Sequence, residues 1–341
     1  MAFLPYLHRV LNRESLSTAD ARAAMGEILA GQATTPQITA FLAALRVKGE
    51  TPDELKGLVL AMRDSCVRIE HGITDRVVLD TCGTGGDSHG TLNVSTLVGL
   101  VAAGAGVAVA KHGNRSISSK CGSADLLEAL GVKLLTDAGS IARGIREVGF
   151  GFLFAPALHP AMKHAMPARA ELKTRTVMNL LGPLTNPAGA TAQLAGAPSA
   201  AAAEMMAVTL ASLGLPKGYV VHGHDGMDEV STTGPSHVFG IVHGAIDHTT
   251  VIPADFGVPQ VTLQDLRGGD IETNRAIALA VLGGAQGPHR DIVAVNVALA
   301  LSAAGQASSL MEGVQRACES LDSGAALRKL NEVIEFTHSV D

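Results

Sequence analysis

A handful of short stretches in this 341-residue chain carry residues whose types and spacing could do chemistry. Asp80-Thr-Cys-Gly-Thr-Gly-Gly-Asp87 ends an apolar run in a glycine cluster. Glycines after a strand let the backbone pass close to a ligand and aim N–H groups at it. The cluster is not a dinucleotide fingerprint, because Ser88 stands where the last glycine would be, and no Gly-Lys-Ser/Thr follows to make a Walker A loop. Alone, it is equally a tight strand–helix turn. Asn93-Val-Ser-Thr96 opens the next helix, whose positive end and free N–H groups suit a phosphate. A hydroxyl there can also ligate Mg²⁺; read alone, the stretch is a helix cap. Lys111-His-Gly-Asn-Arg115, with Ser116, Ser118 and Ser119 behind it, places two fixed positive charges and an imidazole past a buried strand. Lysine acts on phosphate as a point charge and arginine can take two oxygens at once; the alternative is a solvated basic turn.

Later in the chain, Asp228-Glu229 follows the strand Tyr219–Val221 and the turn His224-Asp-Gly226. Adjacent hard carboxylates beyond a strand end suit Mg²⁺, which takes one or two carboxylates plus substrate phosphates and water. An exposed acidic loop is the other reading. His222 and His224 raise zinc, but no third ligand stands at a supporting spacing. Arg169 is either a clamp for a substrate carboxylate or a surface helix charge; the local sequence does not separate the two.

The elements that must position these residues fall into two parts. Residues 1–72 show helical spacing only: Phe3, Leu4, Leu7, Val10 and Leu11; an Ala-rich helix after Ser17; a third from Thr35-Pro36 to Gly49; and a capping box at Thr51–Glu54 opening a fourth. From Arg76 onward the period changes. Val77–Leu79, Val107–Ala110, Val132–Leu135, Phe150–Ala155, Thr191–Ala197 and Tyr219–Val221 alternate with helical stretches at Asn93–Ala103, Ser123–Leu130, Ser140–Val148 and Ala200–Leu213. His237–Val242 and His248–Ile252, split by Gly244-Ala245, form a hairpin, and helices dominate from Glu272 onward. The fold class is α/β: a small all-helical N-terminal domain, joined by helices near 165–182, plus a larger α/β domain over 73–341 with a central, mostly parallel sheet flanked by helices.

Composition limits the classes of function. Net charge is −6, which argues against broad nucleic-acid binding and adhesion to an anionic membrane, so any phosphate site is a local exception. With no Trp and 3% aromatics, the core must be built from aliphatic residues. Cys66, Cys82, Cys121 and Cys318 form no CxxC pair and read as free thiols of a reducing compartment. The N-terminus shows no secretory signal, and a cytoplasmic protein is expected.

In this order, the stretches Asp80–Asp87, Asn93–Thr96, Lys111–Arg115, Gly122–Asp125, Arg175 to Pro187 and Asp225–Glu229 closely resemble the anthranilate phosphoribosyltransferase family over essentially the whole chain. Each piece is unspecific; the ordered combination is not. The resemblance implies a scaffold shared with pyrimidine nucleoside phosphorylases and a homodimer joined through the helical domains. It also implies Mg²⁺ dependence and transfer of a phosphoribosyl group from phosphoribosyl pyrophosphate to the amine of anthranilate in tryptophan biosynthesis. By the family pattern Gly83, Gly86, Asp87, Thr91, Asn93, Val94, Ser95, Thr96, Lys111, His112, Gly113, Asn114, Arg115, Ser116, Ile117, Ser118, Ser119 and Ser123 would contact phosphoribosyl pyrophosphate. Gly83, Asn114, His112 and Arg169 would face anthranilate, while Ser95, Asp228 and Glu229 would hold the metal. No residue is required as a general base, and His112 is the one candidate. A nucleoside phosphorylase is the nearest rival, but it would need no acidic metal pair. A nucleic-acid-binding relative on the same scaffold would need a basic surface.

Overall fold

The computed structural model describes residues 3–85, 90–116 and 120–340. Four helices come first: α1 (Leu4–Leu11), α2 (Thr18–Leu29), α3 (Thr35–Lys48) and α4 (Pro52–Asp64). Proline sits in the first turn of α1, α3 and α4, where its missing N–H costs nothing. The Thr51 hydroxyl accepts from the Glu54 N–H at 3.2 Å and the Glu54 carboxylate accepts in turn from the Thr51 N–H at 2.9 Å, closing the expected capping box. Glu54 is buried, and it also accepts from the Leu16 N–H and from Lys48 Nζ, each at 2.9 Å. One carboxylate thus ties α4 to the ends of two other helices.

The remainder alternates: β1 (Val78–Asp80), α5 (Val94–Gly104), β2 (Ala108–Gly113), α6 (Ser123–Ala129), α7 (Ala138–Arg143), β3 (Phe150–Phe154), α8 (Ala155–Leu158), α9 (Met166–Leu172), α10 (Met178–Leu184), β4 (Ala192–Gly196), α11 (Ala200–Ser212) and β5 (Lys217–Gly223). The hairpin β6 (Ser236–Val242) and β7 (Ala245–Val251) follows, then α12 (Ile271–Leu282), α13 (Pro288–Ala303), α14 (Leu310–Asp322) and α15 (Ala325–Ser339). The strands make a single sheet in the order β3-β2-β1-β4-β5-β6-β7, parallel except at β6 and β7.

Strand alternation sorts the core onto two faces. Leu79, Val109, Phe150, Phe152 and Leu194 point to the layer of α5, α6 and the C-terminal helices. Val78, Ala108, Ala110 and Leu153 point the other way, toward Ile141 and Ile145, and Ala195, Val220 and Ile241 toward α1–α4 and α9–α11. The helical bundle and the underside of β4–β6 therefore share one core, which also contains Ala165, Ala168 and Leu181.

Two expectations need correction. Val132–Leu135 is not a strand: the Val132 N–H closes the end of α6 onto Leu127, and the Lys133 N–H is taken by the Thr337 hydroxyl of α15. The edge position next to β2 goes to β3 instead. The hairpin turns one residue earlier than the glycine suggests. Val242 pairs with Ala245, so the loop is His243-Gly244, both in the left-handed region at φ 47° and 87°. That is the backbone of a two-residue hairpin turn whose twist matches the strands.

The chain winds from β1 outward through β2 and β3, then returns to lay β4 on the other side of β1. The winding direction reverses between β1 and β4. In open α/β sheets the crevice beyond the carboxyl ends of the strands at such a reversal is where ligands bind.

Candidate active site

β1 ends at Asp80 and runs into the glycine loop, while β4 ends at Gly196. The Thr84 N–H donates to the Gly196 carbonyl at 3.1 Å, stitching the two strand ends together. A cavity opens there, lined by Thr81, Gly83, Val94, Ser95, Gly196, Asp228, Glu229 and Asn296 among others. Residues from the loop after β1, the start of α5, the end of β4, the loop after β5 and the middle of α13 thus converge at the switch point.

Close approach explains the glycines. A Cβ on Gly196 would lie 1.7 Å from the Asp228 carbonyl oxygen, and one on Gly83 would lie 2.5 Å from Asp228 Oδ2. The Asp228 carboxylate is fixed in turn by the Gly85 N–H at 2.6 Å and the Thr84 hydroxyl at 3.3 Å. The N–H groups of Thr84 and Gly85 are therefore taken up inside the protein. Gly86 and Asp87 lie outside the described residues, as do Ile117, Ser118 and Ser119.

At the start of α5, Asn93 donates from Nδ2 to the Cys121 carbonyl at 3.0 Å. Asn93 Oδ1 and Thr96 Oγ1 are buried with no hydrogen-bond partner among the described residues. Such atoms are costly unless something else meets them, and they sit at the positive end of a helix. Thr91 lies just before, held by a bridge to Arg267.

Lys111 is almost fully buried on β2 and donates from Nζ to the Thr81 carbonyl at 3.1 Å and to Ser95 Oγ at 3.3 Å. Its charge is thereby delivered to the cavity wall. Asp80, on the neighbouring strand, is fully buried and accepts from the His112 N–H at 3.1 Å. Burial pushes its carboxyl up to about 6, against a hydrogen bond from Asn186 and the attraction of Lys111.

His112 closes β2. Its Nδ1 lies 2.9 Å from the Gly182 carbonyl, which can only accept, so Nδ1 carries the proton and Nε2 is a bare acceptor. That Nε2 is buried without a partner among the described residues. Burial, then His159, whose ring centroid lies 5.1 Å away, pull His112 down to about 3. His159 falls to about 4 by burial, and neither of its nitrogens has a partner among the described residues. Two neutral imidazoles in contact, with three unmet nitrogens between them, make a polar patch in an apolar wall.

Beyond β2 the basic stretch is partly engaged. Arg115 pairs with Glu128 and Asp125 and lies over the Phe154 ring, 5.7 Å from its centroid. The carboxylate of Asp125 also accepts from the N–H groups of Ser116 and Gly122, at 3.1 and 2.9 Å, bracketing the segment before Ser123. Gly113 packs where a Cβ would strike the Phe152 ring at 2.7 Å, and the Asn114 carbonyl accepts from the Ala124 N–H.

Arg169 stands apart from the cavity, on α9 in the helical layer. It is half-buried, with Met166 Sδ 4.0 Å away and no carboxylate partner among the described residues. Burial lowers its pKa. A desolvated guanidinium without an anion suits a carboxylate ligand.

The sequence alone assigns no role to His159, Arg175 or Asn296, although Arg175 opens one of the stretches that carry the resemblance. Arg175 donates to the Gly85 carbonyl at 3.0 Å, while its own carbonyl receives Arg46 of α3, so it bridges the helical layer and the glycine loop. Asn296 had one local signal, a lone amide inside the apolar run Ile292–Leu301. His159 had none beyond a neighbouring proline.

Asp228, Glu229 and Ser95 offer only hard oxygen atoms at one cavity, which is the donor chemistry that Mg²⁺ prefers. Among the described residues no group of three or more His, Cys, Asp and Glu could hold a metal ion.

The likeness to known proteins extends over nearly the whole chain. The Glycosyl transferase family, a/b domain, matches residues 75–327, and that family's helical bundle domain matches residues 4–66. The anthranilate phosphoribosyltransferase of Solibacter usitatus is 56% identical across 99% of this chain and 100% of its own length. That of Moorella thermoacetica is 50% identical across 98% of both chains. Among solved structures, anthranilate phosphoribosyltransferase from Thermus thermophilus superimposes with a TM-score of 0.92 at 43% identity, covering 98% of this chain and 99% of the other. The Saccharomyces cerevisiae enzyme, in complex with PRPP and Mg, superimposes with a TM-score of 0.91 at 29% identity, covering 99% and 98%. With both domains matched and the identity spread over the full length, this chain belongs to the anthranilate phosphoribosyltransferases of the glycosyl transferase family.

Proposed function

We infer that this chain transfers the phosphoribosyl group of phosphoribosyl pyrophosphate to the amine of anthranilate, releasing pyrophosphate, as a step of tryptophan biosynthesis. The observation that carries the reading is the convergence of Ser95, Asp228 and Glu229 on one cavity at the switch point, in a chain that matches the family throughout. Phosphoribosyl pyrophosphate would lie over the strand ends, its phosphates toward the start of α5 and the 111–123 segment. The unmet Asn93 Oδ1 and Thr96 Oγ1 support this placement. Asp228, Glu229 and Ser95 would hold Mg²⁺, which when bound neutralises charge on the leaving diphosphate.

The bond changes are simple. The amine nitrogen lone pair forms a bond to the anomeric carbon, and the carbon–oxygen bond to diphosphate breaks with its electron pair. The configuration inverts, and the N–H proton released from the new ammonium passes to water or to the departing diphosphate. An aniline-type amine is mostly neutral at pH 7, so it needs no base before attack. His112, held far below the ordinary histidine range, is a poor proton store; its bare Nε2 suits accepting a hydrogen bond from the amine. Arg169 would clamp the anthranilate carboxylate. Positioning and electrostatics then supply most of the catalysis.

Residues 1–72, with the helices near 165–182, are read as the unit that joins two copies. Leu11 on α1 and Val47 on α3, large apolar side chains left 55% and 73% exposed, support a homodimer through the helical domain. A cytoplasmic location fits four free cysteines and the lack, among the described residues, of any helix long and apolar enough to cross a membrane.

The test is direct. Anthranilate fluorescence should fall when phosphoribosyl pyrophosphate and Mg²⁺ are added, and not when either is omitted. No loss, together with phosphorolysis of uridine or thymidine, would transfer the chain to the phosphorylase branch.

A further inference from the structure

We propose that Asn296 is a positioning residue for the acidic pair Asp228-Glu229, acting through the backbone of Val230. The inference rests on the metal role read for that pair above. Asn296 sits in the middle of α13, in a run from Ile292 to Leu301 that is otherwise wholly apolar and buried, and its own exposure is 1%. A side-chain amide in such a place must spend its hydrogen-bonding groups on specific partners. Oδ1 accepts from the Val230 N–H at 2.9 Å, while Nδ2 donates to the Val230 carbonyl at 2.9 Å and to the Ile292 carbonyl of its own helix at 2.8 Å. Both backbone groups of the residue that follows Glu229 are therefore clasped by one side chain from a different element.

The rest of that loop is braced locally, by the Gly223 N–H on the Met227 carbonyl and the Ser231 N–H on Ser236 Oγ, each at 2.9 Å. The glycine loop holds Asp228 from the other side. Asn296 ties the segment by hydrogen bonds to α13, which packs along α5, the helix whose first turn carries Ser95. The hydroxyl and the two carboxylates that face the cavity are thus referred to one rigid pair of helices. Asn296 also reaches the cavity wall itself. Groups that orient metal ligands from behind commonly cost about 10–100-fold in metal affinity when removed.

The test compares the wild-type protein with Asn296→Leu, which keeps the volume and removes the clasp, and with Leu299→Ala. Leu299 is buried on the same helix but carries no polar group, so its variant reports general loosening. Mn²⁺ binding in the presence of pyrophosphate, followed by electron paramagnetic resonance, should weaken about tenfold in Asn296→Leu. The Mg²⁺ activation constant should rise to match while the KM for anthranilate stays within about twofold, and Leu299→Ala should retain wild-type Mn²⁺ affinity. Wild-type Mn²⁺ affinity in Asn296→Leu, or equal weakening in Leu299→Ala, would overturn the proposal. Hydrogen exchange on the wild-type protein without ligands gives a check that needs no variant. The Val230 amide should be strongly protected; exchange at the rate of an open loop would equally overturn it. If the wild-type protein neither turns over nor binds Mn²⁺ with pyrophosphate, the metal reading falls first; an active wild type with an unaffected variant removes only Asn296.

Discussion

Gly83 and Gly196 face Asp228 from two sides, and they differ in what can give way. On Gly83 an added Cβ meets a side-chain carboxylate, which can turn by giving up its bonds to Gly85 and Thr84; on Gly196 it meets a backbone carbonyl. Gly83→Ala should therefore fold with a near-normal Tm yet lose turnover by displacing Asp228, whereas Gly196→Ala should cost about 1–3 kcal/mol of stability by overpacking. Thermal unfolding beside initial rates separates the two, and equal Tm losses would contradict the assignment. For Arg169→Ala, loss of a charge-assisted bond worth about 1.5–3 kcal/mol should raise the KM for anthranilate by about 10–100-fold, with that for phosphoribosyl pyrophosphate little changed. An unchanged anthranilate KM would remove Arg169 from the site. The glycines and the acidic pair were legible because their chemistry is local. His159 and Asn296 were not, since their roles come from partners dozens of residues away in the chain.

At the scale of elements, the helix starts were the most readable parts, because a cap is a short-range hydrogen-bond pattern. The Thr51–Glu54 box is the clearest, yet the sequence does not reveal that the same carboxylate also holds Lys48 and the Leu16 N–H. Glu54→Ala would leave a buried lysine without its counter-charge and two N–H groups unmet. A loss of about 3–5 kcal/mol in a urea titration is expected, and a change under about 1 kcal/mol would show that the bundle closes over the gap. The missing strand at Val132–Leu135 and the early hairpin turn have one cause: apolar runs and glycines are local, whereas pairing is decided by neighbours. Val132 and Lys133 are claimed by α6 and α15, and His243 accepts a left-handed backbone that glycine alone was expected to supply.

On the scale of the whole molecule, strand order is what turns scattered motifs into a site, and it is non-local. Alternating strands and helices imply a parallel sheet, but nothing in them says that β4 returns to lie beside β1. The buried titratable groups behind that seam set a pH dependence of stability. His112 and His159, lowered to about 3 and about 4, stay neutral when folded and take up protons when unfolded, so they oppose folding increasingly as pH falls below the ordinary histidine range. Asp80, raised to about 6, acts in the opposite sense, holding a proton when folded that it loses when unfolded. Two histidines outweigh one aspartate, so stability should fall by about 1 kcal/mol per pH unit between about pH 6 and about pH 4.5. Asp80→Asn should steepen that slope, and a flat profile of urea midpoints would contradict the neutral histidine pair. The central claim, that the metal sits at the cavity between the ends of β1 and β4 with the diphosphate beside it at the start of α5, is tested most directly by anomalous diffraction from crystals containing phosphoribosyl pyrophosphate and Mn²⁺. The account predicts a metal peak beside Asp228 and Glu229 with the diphosphate against the start of α5; a peak elsewhere, with this cavity holding neither, would contradict it.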